Sequence, residues 1–249
     1  MLTEERFARI LKVLEEKKAA TVTELAEILD VSESTIRRDL TVLNDMGKLN
    51  KVHGGATLPL GIYTLEEDVS VKYSLNTEEK SKIGRYAAGL IRPNDFIYID
   101  AGTTTEAMAE HISEKTAVYV TNGISLAAKL VRRGFQVYVI SGRIKSSTEA
   151  IVGTEALKSL EKYHFTAGFF GTNGISVSGG FSTPDVDEAG IKREAMSRCK
   201  KNYILADSSK FDKVSSVTFA LISQAEIITS TLADIKYKNY TLITEVDGR

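Results

Sequence analysis

A short apolar run followed by a loop of small polar residues occurs five times in the second part of this 249-residue sequence, and this repeat restricts the fold. The runs are residues 96–99, 118–120, 137–140, 167–170 and 203–206, and the loops after them are 100–105, 121–123, 141–143, 171–174 and 207–210. Helical patterns follow most of these loops, and strands that alternate with helices are typical of a largely parallel sheet. Ligands of such sheets bind at the carboxyl ends of the strands. The repeat therefore predicts a largely parallel αβα domain with a binding site made of these loops.

The stretch from 96 to 105, FIYIDAGTTT, has the composition of a phosphate-binding turn. Its apolar run predicts a buried strand, and EAMAEHI at 106–112 predicts a helix directly after the turn. A strand that opens into a helix directs free N–H groups and the positive end of the helix dipole at one point. Gly102 permits close approach of a ligand, and three threonines add hydroxyl donors. The alternative is an ordinary turn rich in helix-capping residues.

The other loops supply groups for the rest of a phosphorylated sugar. The ammonium group of Lys210 suits a phosphate, whereas the carboxylates and amides of the loops suit sugar hydroxyls. Glu188 and Lys192 lie four residues apart, so they either belong to this site or form a plain surface ion pair on one helix. The predicted effector-binding residues are Asp100, Gly102, Thr103, Thr104, Thr105, Thr121, Asn122, Gly171, Thr172, Asn173, Gly174, Thr183, Glu188, Lys192 and Lys210.

The first sixty residues predict a winged helix-turn-helix. A first amphipathic helix spans Thr3–Lys17, and Thr23 caps a second whose apolar stripe is Leu25, Ile28 and Leu29. After a turn at 30–32, Ser32 caps a third helix over 33–46, which Gly47 ends. Two short strands, 49–52 and 56–58, then flank the turn 53–55 as a β-wing. The predicted DNA contacts are Ser34, Thr35, Arg37, Arg38, Lys48, Lys51 and His53.

In this architecture the third helix presents its N-terminal side chains to the major groove of DNA. Arginine pairs with guanine edges or phosphates, and lysine contacts phosphates as a point charge. The alternative is a small three-helix module for protein–protein contacts with solvated charges on its surface.

The sequence thus predicts three parts: a winged helix-turn-helix over residues 1–58, a linker over 59–76, and an α/β effector-sensing domain over 77–249. The third part is expected to begin with a helix capped by Thr77 and extending to residue 91, with Ile83, Ala87 and Leu90 as its apolar stripe.

Composition excludes several other classes of protein. The net charge is −1 and the pI is about 6.4, so DNA binding has to rest on a local basic surface. Cys199 is the single cysteine, which excludes an intrachain disulfide and favours a reduced, cytoplasmic location. Three widely spaced histidines give no metal-ligand pattern, and no cofactor is predicted. The charged N-terminus is unlike a signal peptide, and no apolar run has the roughly 20 residues that span a bilayer.

The segment SESTIRRDLTVLNDMGKLNKVHGGA (32–56) resembles the signature of the DeoR family of bacterial repressors, with Lys51 where the family often has arginine. The second part, with DAGTTT and ADSSK, resembles the family's sensor domain, which is similar in fold to ribose-5-phosphate isomerases. The resemblance implies DNA binding, with repression as the usual outcome. Those isomerases carry G-A-D-E where this chain has GTNG at 171–174, so Asn173 and Gly174 replace two carboxylates. Proton transfer between sugar carbons needs a base, so we expect binding without turnover.

Four segments, DAGTTT, GTNGI, GGFSTPDVDEAGIKREAM and ADSSKF, together resemble fructose-operon repressors within that family. The resemblance implies a repressor of a sugar-utilisation operon that fructose 1-phosphate releases from operator DNA. We expect a homo-oligomer, either dimer or tetramer, whose coupling between domains passes through residues 57–76 and the helix after them. The alternative function is a sugar-phosphate isomerase that carries a DNA-binding domain, and a test for turnover distinguishes the two.

Overall fold

The computed structural model describes residues 3–17, 19–46, 48–57, 69–232 and 234–247. The chain divides into two compact units, Met1–Gly61 and Ile62–Arg249, hereafter the first and the second unit. Residues 58–68, which include most of the predicted linker, lie outside the described residues. Our three-part division at residues 58 and 76 stays a prediction.

The first unit is a winged helix-turn-helix, as the sequence predicts. Its helices are α1 (Thr3–Lys17), α2 (Val22–Leu29) and α3 (Glu33–Asp45), and its strands are β1 (Ala19–Thr21), β2 (Asn50–Val52) and β3 (Gly55–Thr57). The strands form an antiparallel sheet in the order β1-β3-β2. Ile10, Leu14, Leu25, Ile36 and Leu40 are fully buried between the helices, so the apolar faces of all three helices meet in one core.

The start of α2 differs from the prediction. Thr21 caps this helix, not Thr23: its side chain accepts from the Glu24 N–H, and the Glu24 carboxylate accepts from the Thr21 N–H. Val22 is therefore the first helical residue and joins Leu25 and Leu29 in the core, whereas Ile28 is 50% exposed. Val22, Leu25 and Leu29 are spaced at i, i+3 and i+7 and share one face of the helix, and Ile28 lies at the edge of that face.

The wing has a third strand that the sequence analysis missed, because β1 consists of three small residues without an alternating pattern. A Cβ at Gly55 would lie 2.4 Å from the Ala20 carbonyl oxygen, so a glycine is required at this position, where β3 pairs with β1. Leu49 precedes the wing strands and is buried in the helical core. Gly47 and residue 58, at the predicted ends of α3 and the wing, lie outside the described residues.

In the second unit the described helices are α4 (Val69–Ser74), α5 (Thr77–Ala88), α6 (Thr103–Glu106), α7 (Ile124–Arg132), α8 (Thr154–Leu160) and α9 (Val186–Ser197). Short 3₁₀ helices cover Ala107–Glu110, Ser208–Lys210, Ile222–Gln224 and Ile235–Asn239. The strands are β4 (Phe96–Ile99), β5 (Val118–Thr121), β6 (Gln136–Val139), β7 (Arg143–Ile144), β8 (Ile151–Val152), β9 (Ala167–Gly171), β10 (Gly174–Ser176), β11 (Gly180–Thr183), β12 (Asn202–Leu205), β13 (Val217–Ala220), β14 (Glu226–Thr229) and β15 (Ile243–Glu245).

Seven of these strands form one parallel sheet, in the order β15-β14-β12-β9-β4-β5-β6. Side chains alternate between its faces, so Ile97 and Ile99 enter one core with α5 and α7, and Tyr98 enters another with α8 and α9. The predicted αβα architecture is confirmed. All five predicted strands belong to this sheet, so their five polar loops lie along its carboxyl edge.

Two predicted helices have different bounds. The turn of threonines is itself helical: α6 is a single α turn at Thr103–Glu106, and a 3₁₀ segment follows it in place of the helix predicted over 106–112. Thr77 does not cap α5 but is its first residue, because Asn76 precedes it in the left-handed region (φ 51°) without a side-chain cap. The same helix ends at Ala88, not at residue 91. Among the described residues no helix has the length and apolarity that crossing a membrane requires.

Candidate functional site

Helix α3 presents the predicted DNA-contacting side chains in the first unit. The Ser32 side chain caps it by accepting from the Thr35 N–H, and the two hydroxyls lie 2.9 Å apart. Thr35 is therefore half-buried in the cap, whereas Ser34, Arg37 and Arg38 are exposed. Asp39 lies on the opposite side, buried, and accepts both hydrogen bonds of a bidentate pair from Arg6 of α1. This pair fixes the back of α3 to α1, so the exposed face of α3 has a defined direction.

Three of the predicted basic DNA contacts come from the wing and from the residues that lead into it. Lys48, Lys51 and His53 are all exposed. The Lys51 N–H donates to Asn44 of α3, and its ammonium donates to the Thr41 hydroxyl at 2.7 Å. The wing and α3 are thus joined by hydrogen bonds, and they form one basic surface.

One acidic residue interrupts that surface. Glu33 accepts from the Arg37 guanidinium at 2.9 Å, and both side chains are exposed. This contact, with the Thr23 hydroxyl, lowers the pKa of Glu33. An exposed pair of this kind contributes little to stability, so Arg37 can exchange its partner for a phosphate or a base at small cost.

At the carboxyl edge of the parallel sheet, a buried ion pair joins β4, β9 and α9. The Lys192 ammonium donates to the Asp100 carboxylate and to the Gly171 carbonyl, and the Gly171 N–H donates to Asp100 at 3.1 Å. Both charged side chains are at most 5% exposed. Burial raises the pKa of Asp100, and the adjacent Lys192 opposes that shift. The charge of Lys192 is therefore paired with a carboxylate of the same unit.

Glu188 does not pair with Lys192 at the i,i+4 spacing. Its carboxylate accepts from Lys145 at 3.2 Å and from the Thr148 hydroxyl at 2.7 Å. Lys145 also pairs with Asp185, the N-cap of α9, at 2.9 Å. The surface-pair alternative for Glu188 and Lys192 is wrong, because each residue has its charged partner in a different part of the second unit.

Several predicted donors are committed to holding the loops together. The Thr105 hydroxyl donates to the Asp100 and Gly102 carbonyls, and the Thr121 hydroxyl accepts from the Gly123 N–H. The Asn122 amide oxygen accepts from the Ala101 N–H at 2.8 Å and the Tyr98 hydroxyl at 3.1 Å. Thr104 is also buried, and Thr103 is half-buried. These side chains therefore shape the turn through their own hydrogen bonds.

The loop at 171–174 is a structural corner that opens the β10–β11 hairpin. The Thr172 hydroxyl lies within hydrogen-bond distance of the Gly174 and Ser182 carbonyls, and the Asn173 amide oxygen accepts from Thr183. A Cβ at Gly174 would lie 2.5 Å from the Lys213 carbonyl oxygen. Gly174 is thus required by packing, and this loop contains no carboxylate that could act as a base.

Lys210 lies in the loop after β12, two strands from β4 and so about 10 Å away at the level of the sheet. Its ammonium is 3.8 Å from the Asp207 carboxylate. Burial alone would raise the pKa of Asp207, but Lys210, hydrogen bonds from Ser209 and the charge of Lys80 together lower it. Asn76, before α5, donates to the same carboxylate at 3.0 Å. The start of α5 therefore covers this loop.

A small pocket lies where the turns after β4 and β5 meet. The residues that line it include Gly102, Gly123, Glu106, Ser125 and Tyr73. The first i→i−4 bond of α6 runs from the Glu106 N–H to the Gly102 carbonyl at 2.8 Å, so the amides of the three preceding threonines have no helical acceptor.

Sequence reasoning missed Tyr73, Glu106, Lys145 and Thr148 as neighbours of this edge. Their sequence signal is weak, because each lies outside the short Gly/Ser/Thr loops that mark the strand ends. Within the described ranges no group of three histidine, cysteine, aspartate or glutamate side chains could hold a metal ion.

A winged helix-turn-helix with a basic recognition face, followed by a parallel αβα unit with a polar edge, defines a DNA-binding regulator. Comparison with protein families agrees: residues 6–60 match the DeoR-like helix-turn-helix domain, and residues 75–231 match the DeoR C terminal sensor domain. The chain belongs to the DeoR family. It is a DNA-binding transcriptional repressor of that family.

Relatives align over almost the whole chain. An uncharacterized HTH-type transcriptional regulator FruR of Bacillus subtilis (strain 168) is 42% identical, covering 96% of each chain. A lactose phosphotransferase system repressor of Streptococcus mutans is 34% identical over 99% of each chain. The HTH-type transcriptional repressor GlcR of Bacillus subtilis is 31% identical over 92% of this chain and 88% of its own.

Solved structures give weaker matches. Ribose 5-phosphate isomerase A of Methanocaldococcus jannaschii has a TM-score of 0.40 at 13% identity, covering 55% of this chain and 56% of its own. The full-length sorbitol operon regulator SorC of Klebsiella pneumoniae has a TM-score of 0.39 at 12% identity, covering 82% of this chain and 89% of its own.

Proposed function

We propose that this repressor controls a sugar-utilisation operon, that it binds its operator in the cytoplasm as a symmetric homo-oligomer, and that a phosphorylated sugar releases it. Fructose 1-phosphate is the effector we name. Two winged helices would contact paired half-sites through Arg37, Arg38 and the wing lysines. The effector would bind at the carboxyl edge of the parallel sheet.

The observation that carries the effector proposal is the Gly102 turn. It combines amides without helical acceptors, a glycine that lines a pocket, and neighbouring loops rich in hydroxyl and amide groups. Backbone N–H groups at such a turn favour phosphate because they direct positive partial charge at one point. The name of the Streptococcus mutans relative refers to a sugar phosphotransferase system, which supports the same ligand class. The motifs shared with fructose-operon repressors favour the ketose.

Replacing Gly102 tests this site. Its φ is 167°, which any residue adopts, and an added Cβ would meet only the Thr105 hydroxyl at 3.3 Å. We expect Gly102→Ala to fold normally but to lose at least about tenfold in fructose 1-phosphate affinity by calorimetry, because the methyl group enters the pocket. Operator binding without effector should be unchanged in a gel-shift assay.

Gly89→Ala is the matched control. Gly89 follows α5, at the opposite edge of the sheet, with a negative φ, and an added Cβ there would also have its nearest neighbour at 3.3 Å. It should bind the sugar phosphate as the wild type does. Equal affinities in all three proteins would refute the Gly102 site.

A thermal-shift panel of fructose 1-phosphate, fructose 6-phosphate, ribose 5-phosphate and free fructose should give one clear stabiliser, and a flat panel would refute the effector proposal.

A further inference from the structure

Helix α4 (Val69–Ser74) lines the pocket through Val69 and Tyr73 and is tethered at three points. The Val69 N–H donates to the Ser147 carbonyl at 3.3 Å, and the buried Lys80 ammonium donates to the Lys72 carbonyl. The Tyr73 hydroxyl donates to the Glu106 carboxylate. The tethers connect α4 to a loop beside the site, to α5 and to α6, so they hold its two lining residues at the pocket.

Glu106 is the anchor of the third tether. It is 5% exposed, and one of its carboxylate oxygens accepts from the Ser125 hydroxyl and the Lys129 ammonium, each at 2.8 Å. The other oxygen accepts from Tyr73. Burial and the adjacent Glu106 raise the pKa of Tyr73 to about 12, so the phenol keeps its proton and donates throughout the neutral range. Glu106 directly follows the three threonines of the Gly102 turn, so the tether ends at the site itself.

The pocket beneath α4 is too small for a sugar phosphate while Tyr73 stays in place. Its cavity volume is about 10 Å³, about enough for one water molecule, and Val69 and Tyr73 line it together with Gly102 and Gly123. Pockets that hold small ligands have volumes of about 300–1,000 Å³. Tyr73 is itself 40% exposed, so its ring can move outward without leaving a buried cavity.

We infer that Tyr73 is a gate residue that determines effector affinity: the ligand displaces it from Glu106, and α4 is released from the site when the ligand binds. This inference rests on the proposed function. Along the chain, α4 is the first described element after the first unit. Its release would therefore change the part of the second unit that is nearest to the first unit in sequence. Because the ligand has to break the Tyr73–Glu106 hydrogen bond, its net affinity is lower than it would be without that bond.

Tyr73→Phe tests the inference because it keeps the ring and removes the hydrogen bond. We expect it to bind fructose 1-phosphate up to about tenfold more tightly by calorimetry, since the ligand no longer competes with that bond. Tyr240→Phe, another exposed tyrosine (48%), is the matched control and should bind as the wild type does. If Tyr73 instead held the ligand, Tyr73→Phe would bind more weakly, and equal or weaker binding overturns the inference.

Hydrogen exchange provides an independent arm. Without ligand, the amides of residues 72–75 should exchange faster in Tyr73→Phe than in the wild type or in Tyr240→Phe, because a tether is missing. In the wild type, fructose 1-phosphate should accelerate the same amides. If fructose 1-phosphate binds none of the proteins, the proposed effector is wrong, and the ligand-free exchange alone decides: faster exchange in Tyr73→Phe supports the gate, and unchanged exchange refutes it.

Discussion

Lys192 forms its ion pair with a buried residue that is distant in the sequence. Its spacing from Glu188 fits a surface ion pair, yet its ammonium contacts Asp100, which is 92 positions away in the sequence. The sequence could indicate that both residues lie near the sheet edge, since each belongs to a polar loop or the helix after it. It could not indicate the pairing, because that depends on how α9 packs over β4 and β9.

We expect Lys192→Met to destabilise the second unit by about 3–5 kcal/mol at pH 8, because it leaves the Asp100 carboxylate buried without its counter-charge. Burial already raises the pKa of Asp100, and removing the opposing Lys192 raises it further. A folded-state pKa above the unfolded value means that the folded protein binds more protons, so the stability of the variant falls as the pH rises through that pKa.

The loss relative to the wild type should therefore be smaller at pH 5 than at pH 8, measured by urea unfolding followed by circular dichroism. Lys158→Met is the control: Lys158 forms an exposed pair with Glu155, and its replacement should cost little at either pH. A loss for Lys192→Met that is identical at both pH values would show that the buried charge is not its cause.

At the level of elements, α3 was predicted well because two local signals agree at its start. Ser32 supplies the cap, and Ile36, Leu40 and Leu43 form a regular buried stripe. The first turn of α2 was shifted by two residues because Thr21 and Thr23 are both good caps, and β1, which places Thr21, has no pattern of its own. The same limit applies to α6, where threonines that resemble a loop form the helical turn.

Arg37→Ala should weaken operator binding strongly while leaving the first unit folded. Arg9 offers a close control, because both arginines form exposed i,i+4 pairs with a glutamate and both side chains are about 60% exposed (62% and 60%). Each replacement should cost only a few tenths of a kcal/mol of stability. A gel-shift titration should show at least about tenfold weaker binding for Arg37→Ala and near-wild-type binding for Arg9→Ala. Equal losses would show that α3 contributes general charge and not recognition.

In the whole molecule, one chain carries both the DNA-binding first unit and the second unit with the proposed effector site. The parallel sheet was predictable, since five strand–loop repeats agree with one another and with the observed edge. The covering of that edge by α4 and the start of α5 was not predictable, because these helices contact loops that lie up to 151 residues further along the chain. Such contacts follow from the tertiary fold and leave no periodic pattern in the sequence.

Coupling between effector and operator must be reciprocal, and this gives a test at the scale of the whole protein. If fructose 1-phosphate weakens operator binding tenfold, the coupling free energy is about 1.4 kcal/mol, and saturating operator DNA must weaken fructose 1-phosphate binding tenfold as well. We expect calorimetric titrations with and without operator duplex to differ by that factor, whereas a scrambled duplex of equal length leaves the affinity unchanged. Gly102→Ala should lose the release of operator by effector while keeping the operator affinity. Operator binding that stays constant at saturating fructose 1-phosphate would show that the two sites of this repressor are not linked through that ligand.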